Sequence, residues 1–453
     1  MGVRMNPGLS SAGIDPSTVD QLIQVQKAPI ESAKKKKEGI ETNKKEYEKF
    51  QGLLGGLDTT LSGLKTRLDF YKLKLESSHP DILDGSVSPG ALLGNYEFEV
   101  RGLARTSKEL AVGFPDKDST PVGFGYMQIQ RDDMEDPVEI TIDPGMTLSK
   151  VAQAINDSKS GVKAMVINTK LTDEPFRLLV ISEKSGREAK VNIDPDTTFL
   201  EFKEQVRGQN LDVLFEDVHV TDVQNRLTEL IDGVALDVKK AEPGTKIEVK
   251  VNFDLDKTLE GIKGFVEKYN EVAKYINDQF QKQPDGRYGP LIGESALKSV
   301  MRGLQETLYG KPSSSGGKYS NLADIGITTE PKTGLLKLDE TKVKQSLSDD
   351  YDSVAGLFIR SDSSNGIADS LAQKLRSFRD PGSGAVKTRI SGFEKQIQAQ
   401  DKEIERQTRL ADAKESQIRR QFGALSGTLS NLKSQGEFLK AKLGGGTGGS
   451  GAS

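Results

Sequence analysis

The sequence predicts a multidomain α+β chain. Its two ends are expected to build an α-helical coiled coil or bundle, with a β-rich head of one or two lobes inserted between them. Three observations predict this class. Apolar residues recur at a seven-residue step near both ends, the coiled-coil signature. The middle alternates apolar and polar residues between turn-forming clusters, as half-buried strands do. The 453 residues are 35% hydrophobic and 29% charged, less core than one compact body of that length needs and suited to elongated parts.

The first element is "GIDPSTVDQLIQVQKAPIES", starting at Gly13. Asp15 can cap a helix and Pro16 suits its first position. Val19, Leu22 and Ile23 then share one face. Ala28-Pro29 is expected to interrupt it, because proline removes a helix hydrogen bond. So short an amphipathic helix is marginal alone and needs a partner. Residues 1–40 read as a flexible or leg segment.

Residues 31–76 read as one long helix, with 41–83 as its share of a helical stalk. Ile40, Tyr47, Leu54, Leu61, Leu68 and Leu75 form one seven-residue column, and Phe50, Leu57, Leu64 and Tyr71 a second. Gly52, Gly55, Gly56 and Gly63 weaken it locally, so packing must carry it. His79-Pro80 is expected to stop it.

Residues 84–256 read as the head, one lobe lying around 104–195. "GNYEFEVRGLA", "PVEITID", "GVKAMVIN", "FRLLVISEKSG" and "TKIEVKVNFD" have strand alternation. One helix is embedded, with Thr147 as N-cap and Leu148, Val151, Ala152 and Ile155 on one face. Phe199–Phe215 fits either helix or loop. Residues 257–385 return to helical periodicity, with Ile262, Phe265, Val266, Tyr269, Val272 and Ile276 on one face. They also contain a hairpin with Lys332-Thr333-Gly334 at its tip and a helix capped by Asp339.

Residues 386–443 carry the second column: Ile390, Ile397, Ile404, Ala411, Ile418, Leu425, Leu432 and Leu439. Phe422, Leu429 and Leu443 widen it near the end. Earlier, the flanking column reads Asp401, Thr408 and Glu415, a narrow, polar-edged seam. Residues 444–453 read as a flexible Gly/Ser tail. Two seams at opposite ends are expected to pack antiparallel. Ile40, Tyr47, Leu54, Leu61, Leu68, Leu75, Ile390, Ile397, Ile404 and Ile418 are the expected coiled-coil seam. Val19, Leu22, Ile23, Phe422, Leu425, Leu429, Leu432 and Leu439 are the expected interface with other molecules.

Chemistry is sparse. There is no cysteine, so disulfides and thiolate catalysis are excluded. The two histidines, His79 and His219, sit in a turn or at a strand edge and read as structural or solvated. No zinc-binding H-E-x-x-H, P-loop or G-x-S-x-G elbow is present, and no helix follows "GFGYMQ" at Gly123 to make it a dinucleotide site. "DLD" at Asp254 could grip a cation but reads as solvated, and Lys34–Lys37 reads as a charged helix face rather than a phosphate site. No enzyme, cofactor or metal site is expected. The net charge of −4 gives no reason to expect nucleic acid. No apolar run suits membrane insertion, and no Sec-type signal opens the sequence.

The order of these parts resembles the bacterial flagellar cap family, also called hook-associated protein 2 or filament-capping protein. "GIDPSTVDQLIQVQKAPIE" is similar to its N-terminal signature and "NYEFEVRGLA" to its first head strand. "MTLSKVAQAIN…GVKAMVIN…FRLLVISEKSG" is similar to a module of flagellin-related heads. "IKGFVEKYNEV", "LADIGITTEPKTGLLKLDETKVKQSLSDDYDSVAGLF" and "QFGALSGTLSNLKSQGEFLKAKL" resemble its later helices and hairpin region. Residues 104–137 and 195–232 match nothing. The resemblance implies an extracellular structural protein at the flagellum tip, exported by the flagellar apparatus without a cleaved signal. It implies a homo-oligomeric cap whose terminal legs insert among flagellin subunits and help them fold and dock. Flagellin, the hook-filament junction proteins and an export chaperone are its implied partners. An adhesin, or a flagellin-like or hook-junction filament subunit, is the alternative.

Overall fold

The computed structural model describes residues 16–171, 173–284, 286–310, 317–359 and 365–444. In chain order it contains α1 (Pro16–Ser62), α2 (Arg67–Phe70), β1 (Leu73–Ser77), β2 (Leu83–Val87), β3 (Gly94–Gly102), β4 (Thr106–Phe114), β5 (Gly125–Arg131) and β6 (Val138–Ile142). There follow α3 (Leu148–Asp157), β7 (Val162–Asn168), β8 (Phe176–Ser185), β9 (Val191–Ile193), β10 (Phe202–Val206), β11 (Leu211–Phe215), β12 (Val218–Asp222), β13 (Arg226–Ile231), β14 (Val234–Val238) and β15 (Lys246–Phe253). The rest is α4 (Leu255–Phe280), α5 (Ser295–Tyr309), β16 (Ile327–Thr329), β17 (Leu336–Leu338), α6 (Glu340–Asp349), α7 (Tyr351–Phe358), α8 (Ile367–Arg379) and α9 (Ala385–Gly444). Two compact units result: both chain ends, to residue 65 and from 261, and the intervening residues 66–260. The sequence pattern places these changeovers at 83/84 and 256/257.

In the unit of the chain ends, Tyr47, Phe50, Leu54, Leu57, Leu61 and Leu64 on α1 are buried. Phe50 stacks on Tyr275 of α4 with centroids 5.6 Å apart, and the Tyr275 hydroxyl donates to the Glu46 carbonyl at 2.8 Å. The Arg379 guanidinium of α8 packs against Gly55 and donates to Asp58 at 3.0 Å; a Cβ at position 55 would touch it at an ordinary 3.5 Å. The hairpin forms as expected, with Gly334 at φ +71° between β16 and β17. Asp339 accepts from the Lys342 N–H at 3.0 Å and caps α6.

Three helical expectations are corrected. The first helix does not run to residue 76. Gly63 and Leu64 donate to Thr60 and Leu61, i to i−3 bonds that close the last turn. Leu68 is 63% exposed beyond the helix, and Leu75 lies in β1, paired with Val251 of β15. The seven-residue match at these two positions is coincidence, because Leu68 falls in the separate short helix α2 and Leu75 in a strand. His79-Pro80 therefore terminates nothing helical. Pro29 does not interrupt α1 either. Its ring is on the exposed face, whereas Ile23, Ile30 and Ala33 are buried, and that burial outweighs the roughly 3 kcal/mol cost of an interior proline. Residues 19–40 are thus packed helix rather than flexible segment. Asp15 and the tail after Gly444 lie outside the described residues.

The head unit has two cores. In the first, the sheet β1-β15-β3-β11-β12 and the sheet β13-β14-β2 bury Phe98, Val100, Val213, Leu236, Val249 and Val251. In the second, the sheets β10-β4-β8-β7 and β6-β5-β9 enclose Leu148, Val151 and Ile155 of α3. Thr147 stands at the N-cap of α3, but its side chain makes no capping bond. Phe199–Phe215, left open between helix and loop, supplies β10 and β11. Asp254 is no cation grip: its carboxylate accepts from the Lys257 N–H at 3.0 Å, capping α4.

The second core contains two charged groups with opposite fates. Arg131 is 5% exposed and fully engaged, donating to Asp133 at 2.7 and 2.8 Å and to the Gly161 carbonyl at 2.7 Å. Those bonds hold the Asp133 carboxyl below its usual range. Glu109 faces inward on β4, in alternation with Ser107 and Ala111, and is 7% exposed. Burial, with Glu204 directly opposite on β10, pushes its pKa up to about 7.

This sets a pH dependence. The folded chain holds the Glu109 proton where the unfolded chain, near 4.5, releases it. Stability from this group therefore falls as pH rises from 4.5 to 7, and the full penalty applies above 7. Glu109→Gln is expected to stabilise the head by about 2 kcal/mol at pH 8 and by almost nothing at pH 4, read from paired thermal melts.

Candidate assembly surface

α1 and α9 pair antiparallel. Lys44 meets Glu394 at 3.4 Å, Lys37 meets Asp401 at 2.6 Å and Lys27 meets Glu415 at 3.7 Å. On α1 the buried and half-buried positions include the row 19, 23, 26, 30, 33, 37, 40, 44 and 47, alternating steps of four and three, with Asn43 and Glu46 half-buried beside it. On α9 they include the row 386, 390, 393, 397, 400, 404, 407, 411, 415, 418 and 422, flanked by half-buried 387, 389, 391, 392 and 403 and followed by 426 and 429. The steps from 407 to 411 to 415 are both four residues, a stutter that shifts the stripe around the helix. The early flanking column is therefore Phe393, Gln400 and Gln407. Asp401 and Thr408 are exposed, and only Glu415 of the expected trio is partly covered.

Of the expected seam, Tyr47, Leu54 and Leu61 are fully buried and Ile390 is 3% exposed. Ile40, Ile397, Ile404 and Ile418 are half-buried along the paired stretch. Leu68 and Leu75 lie in the other unit. Of the expected interface, Val19 and Ile23 are already covered, at 9% and 6% exposure, while Leu22 is exposed. Phe422 and Leu429 are half-buried, and Leu425, Leu432 and Leu439 are exposed. Phe438 joins this exposed stripe. The side chain of Leu443 lies outside the described residues.

The register explains the difference. Extending it from Lys27–Glu415 sets Val19 beside the turn that carries Phe422. α9 continues to Gly444, far past the described start of α1 at Pro16. Among the described residues the N-terminal stripe thus finds cover, and the last turns of α9 do not.

At its inner end the coil is fastened by a clamp that the sequence reading missed. Arg389 of α9 donates from Nε and Nη2 to Glu294 at 2.9 and 2.6 Å, a bidentate pair. The Tyr47 hydroxyl donates to the same carboxylate at 2.9 Å. The guanidinium lies 4.4 Å from the centre of the Phe393 ring, and Phe393 packs on Tyr47 at 5.5 Å. Burial pushes the Glu294 carboxyl up, but the bonds from Arg389 and Tyr47 together outweigh it and hold its pKa low. Burial raises the Tyr47 hydroxyl, with Glu294 adding to the shift. Glu294 precedes α5, remote in sequence from both coil helices; no periodicity links it to them.

The other chemical candidates are accounted for. His79 bonds the Ser78 hydroxyl, and His219 lies between Arg101 and Asp212 at 3.2 Å from each. Lys34 pairs with Glu31, and Lys37 with Asp401 and Glu41. Gly123 and Gly125, both at positive φ, lead into β5. Among the described residues no cluster of acids and histidines could hold a metal, and no helix is long and apolar enough to cross a membrane.

Loosening the clamp tests its role. Arg389→Met is expected to cost about 1–2 kcal/mol at pH 7, a value moderated by the partial exposure of Arg389. Because the Glu294 pKa is lowered, this contribution is full above the usual carboxyl range and fades as pH falls through the lowered value. Melts from pH 7 down to pH 3 should show wild type and variant converging. Arg389→Lys should recover little, since lysine lacks the planar fork.

The sequence matches the family profile described as flagellar hook-associated protein 2 N-terminus over residues 12–107 and the corresponding C-terminus profile over 208–434. It is 27% identical over 408 residues to the B-type flagellar hook-associated protein 2 of Pseudomonas aeruginosa, covering 83% of this chain and 84% of that one. It is 24% identical to the flagellar hook-associated protein 2 of Escherichia coli, covering 94% and 96%. The fold is similar to the crystal structure of the flagellar cap protein FliD D1-D2-D3 domains from Escherichia coli, with a TM-score of 0.60 at 24% identity, covering 77% of this chain and 99% of that one. Neither the adhesin nor the filament-subunit alternative is favoured by these likenesses. With helical chain ends around an inserted β-rich head, the chain belongs to the flagellar hook-associated protein 2 family, and its role is the structural one of a cap on the flagellar filament.

Proposed function

We propose that this chain caps by self-association, several copies seating together at the filament tip through the uncovered stripe of α9. The observation that carries the reading is exposure: among the described residues Leu425, Leu432, Phe438 and Leu439 stay uncovered along the last turns of α9. Full burial of such side chains is worth about 1.5–3 kcal/mol each, and these are already partly covered. One stripe therefore gains several kcal/mol, against an association cost of roughly 4–15 kcal/mol. A single copy would hold weakly, whereas linked copies act at high effective concentration and hold firmly. Each grip could still be released in turn as a flagellin subunit enters beneath the cap.

The same reading extends to the chain's route. Transit through a narrow export channel in an unfolded state suits a sequence with no cysteine to cross-link. An export chaperone would mask the α9 stripe before secretion, since an exposed apolar ribbon invites association.

The test is the pair Leu432→Asp and Leu439→Asp in one chain. Both side chains are more than half exposed, so the melting of the single chain should move by no more than about 0.5 kcal/mol. Particle mass in solution should drop to that of the monomer, and cells carrying the variant should release flagellin instead of extending filaments. Unchanged particle mass with normal filaments would overturn the proposal.

A further inference from the structure

We propose that a cavity in the second core of the head, between β4, β5, β9 and β10, binds an organic cation, an ammonium or guanidinium group, with Glu109 as the anchoring carboxylate. The cavity holds about 510 Å³, within the usual range for small-ligand sites. Glu109, Glu204 and Asp194 line it with one opposing lysine, Lys190, and with the amides of Gln128 and Asn192.

Glu109 is the observation that points to a ligand. Its side chain is more than nine-tenths buried, yet its carboxylate has no hydrogen bond or ion pair among the described residues. Its oxygens are not sealed off but open to the cavity, so a cation entering there pairs with them as the Arg131 guanidinium pairs with Asp133 in the same core. Lys190 faces the cavity without closing an ion pair to Glu109. The register sets Glu204 directly across from Glu109, so two carboxylates flank one opening and repel when both are charged. A cation between them removes that repulsion and gives Glu109 a charge-assisted bond.

The donor set selects the kind of cation. A hard divalent ion takes six or more oxygens, and Glu109, Glu204 and Asp194, though all line the cavity, do not form a group that could hold a metal ion. An ammonium or guanidinium needs only two carboxylates and a few carbonyl oxygens, and amides supply the latter. A neutral polyol would leave the carboxylates uncompensated.

Titration of the full chain with agmatine, spermidine and N-acetyl-arginine amide, followed by ligand-observed NMR at pH 8, tests this. All three should bind the wild type, with Glu109→Gln weakening them at least tenfold and Glu204→Gln less. Lys190→Met should tighten binding by removing the competing cation. Lowering the pH to 5 should weaken wild-type binding at least tenfold but barely affect Glu109→Gln. That comparison separates Glu109 from Glu204, Asp194 and Lys190, which also face the cavity. Preference for N-acetyl-arginine amide would assign the site to a side chain of a partner protein, and preference for spermidine to a free amine. Binding unchanged in Glu109→Gln, binding of calcium in place of the amines, or binding of none would overturn the proposal. The Glu109→Gln chain is isosteric, and its melting curve confirms that it folds.

Discussion

Pairing of the two chain ends is the constraint on which the rest of this fold depends. α1 and α9 are separated by the whole of the remaining chain, yet they run antiparallel side by side. Such a contact has the largest possible sequence separation, and the entropy of closing it must be met before it is rewarded. The clamp of Tyr47, Glu294 and Arg389 shows how the closure is held. It brings α1, α9 and the start of α5 to one carboxylate, with Phe393 covering the guanidinium. Beyond it the coil can zip outward residue by residue, each step local.

The coil then loosens with distance from the clamp. Tyr47, Phe50 and Phe393 are at 2% exposure or less. Farther out, Lys37 and Lys44 occupy stripe positions where a tight coil would place apolar residues, and the stripe of α9 likewise includes Gln400 and Gln407. Their ion pairs with Asp401 and Glu394 are largely exposed, and such pairs are worth little. What they supply is register: a lysine on the stripe accepts one alignment with an acid and disfavours its neighbours.

How much of this was legible in the sequence follows from which forces are periodic. The columns through Tyr47, Leu54 and Leu61 and through Ile390, Ile397 and Ile404 were visible because burial repeats with the helix. The same rule overreached at Leu68 and Leu75, where apolar residues kept the spacing after the helix had ended. It also missed Phe393 and Gln407, because the stutter near Ala411 moves the stripe by one position. The charged features were invisible for a different reason. Glu294 and Glu109 are single residues whose meaning comes from partners far along the chain, or from the want of them. Strand alternation would assign Glu109 to the core face of β4, but residues 104–137 matched no pattern that gave cause to ask why a carboxylate stood there.

The gradient along the coil bears on how a cap can be both attached and mobile. Opening free energies within one protein range from nearly zero at fraying ends to the global value in the core. Here, among the described residues, the most exposed apolar positions of the coil are Leu425, Leu432, Phe438 and Leu439, at the end of α9 farthest from the clamp. Apolar contact carries no directional demand, so a ribbon of leucines can be covered by differently placed neighbours in succession. A tightly keyed interface like the clamp could not slide in this way, because each shift would strand a buried carboxylate or guanidinium. Keyed polar contacts at the closure suit holding each chain folded, and unkeyed apolar contacts at the tip suit the exchange proposed above.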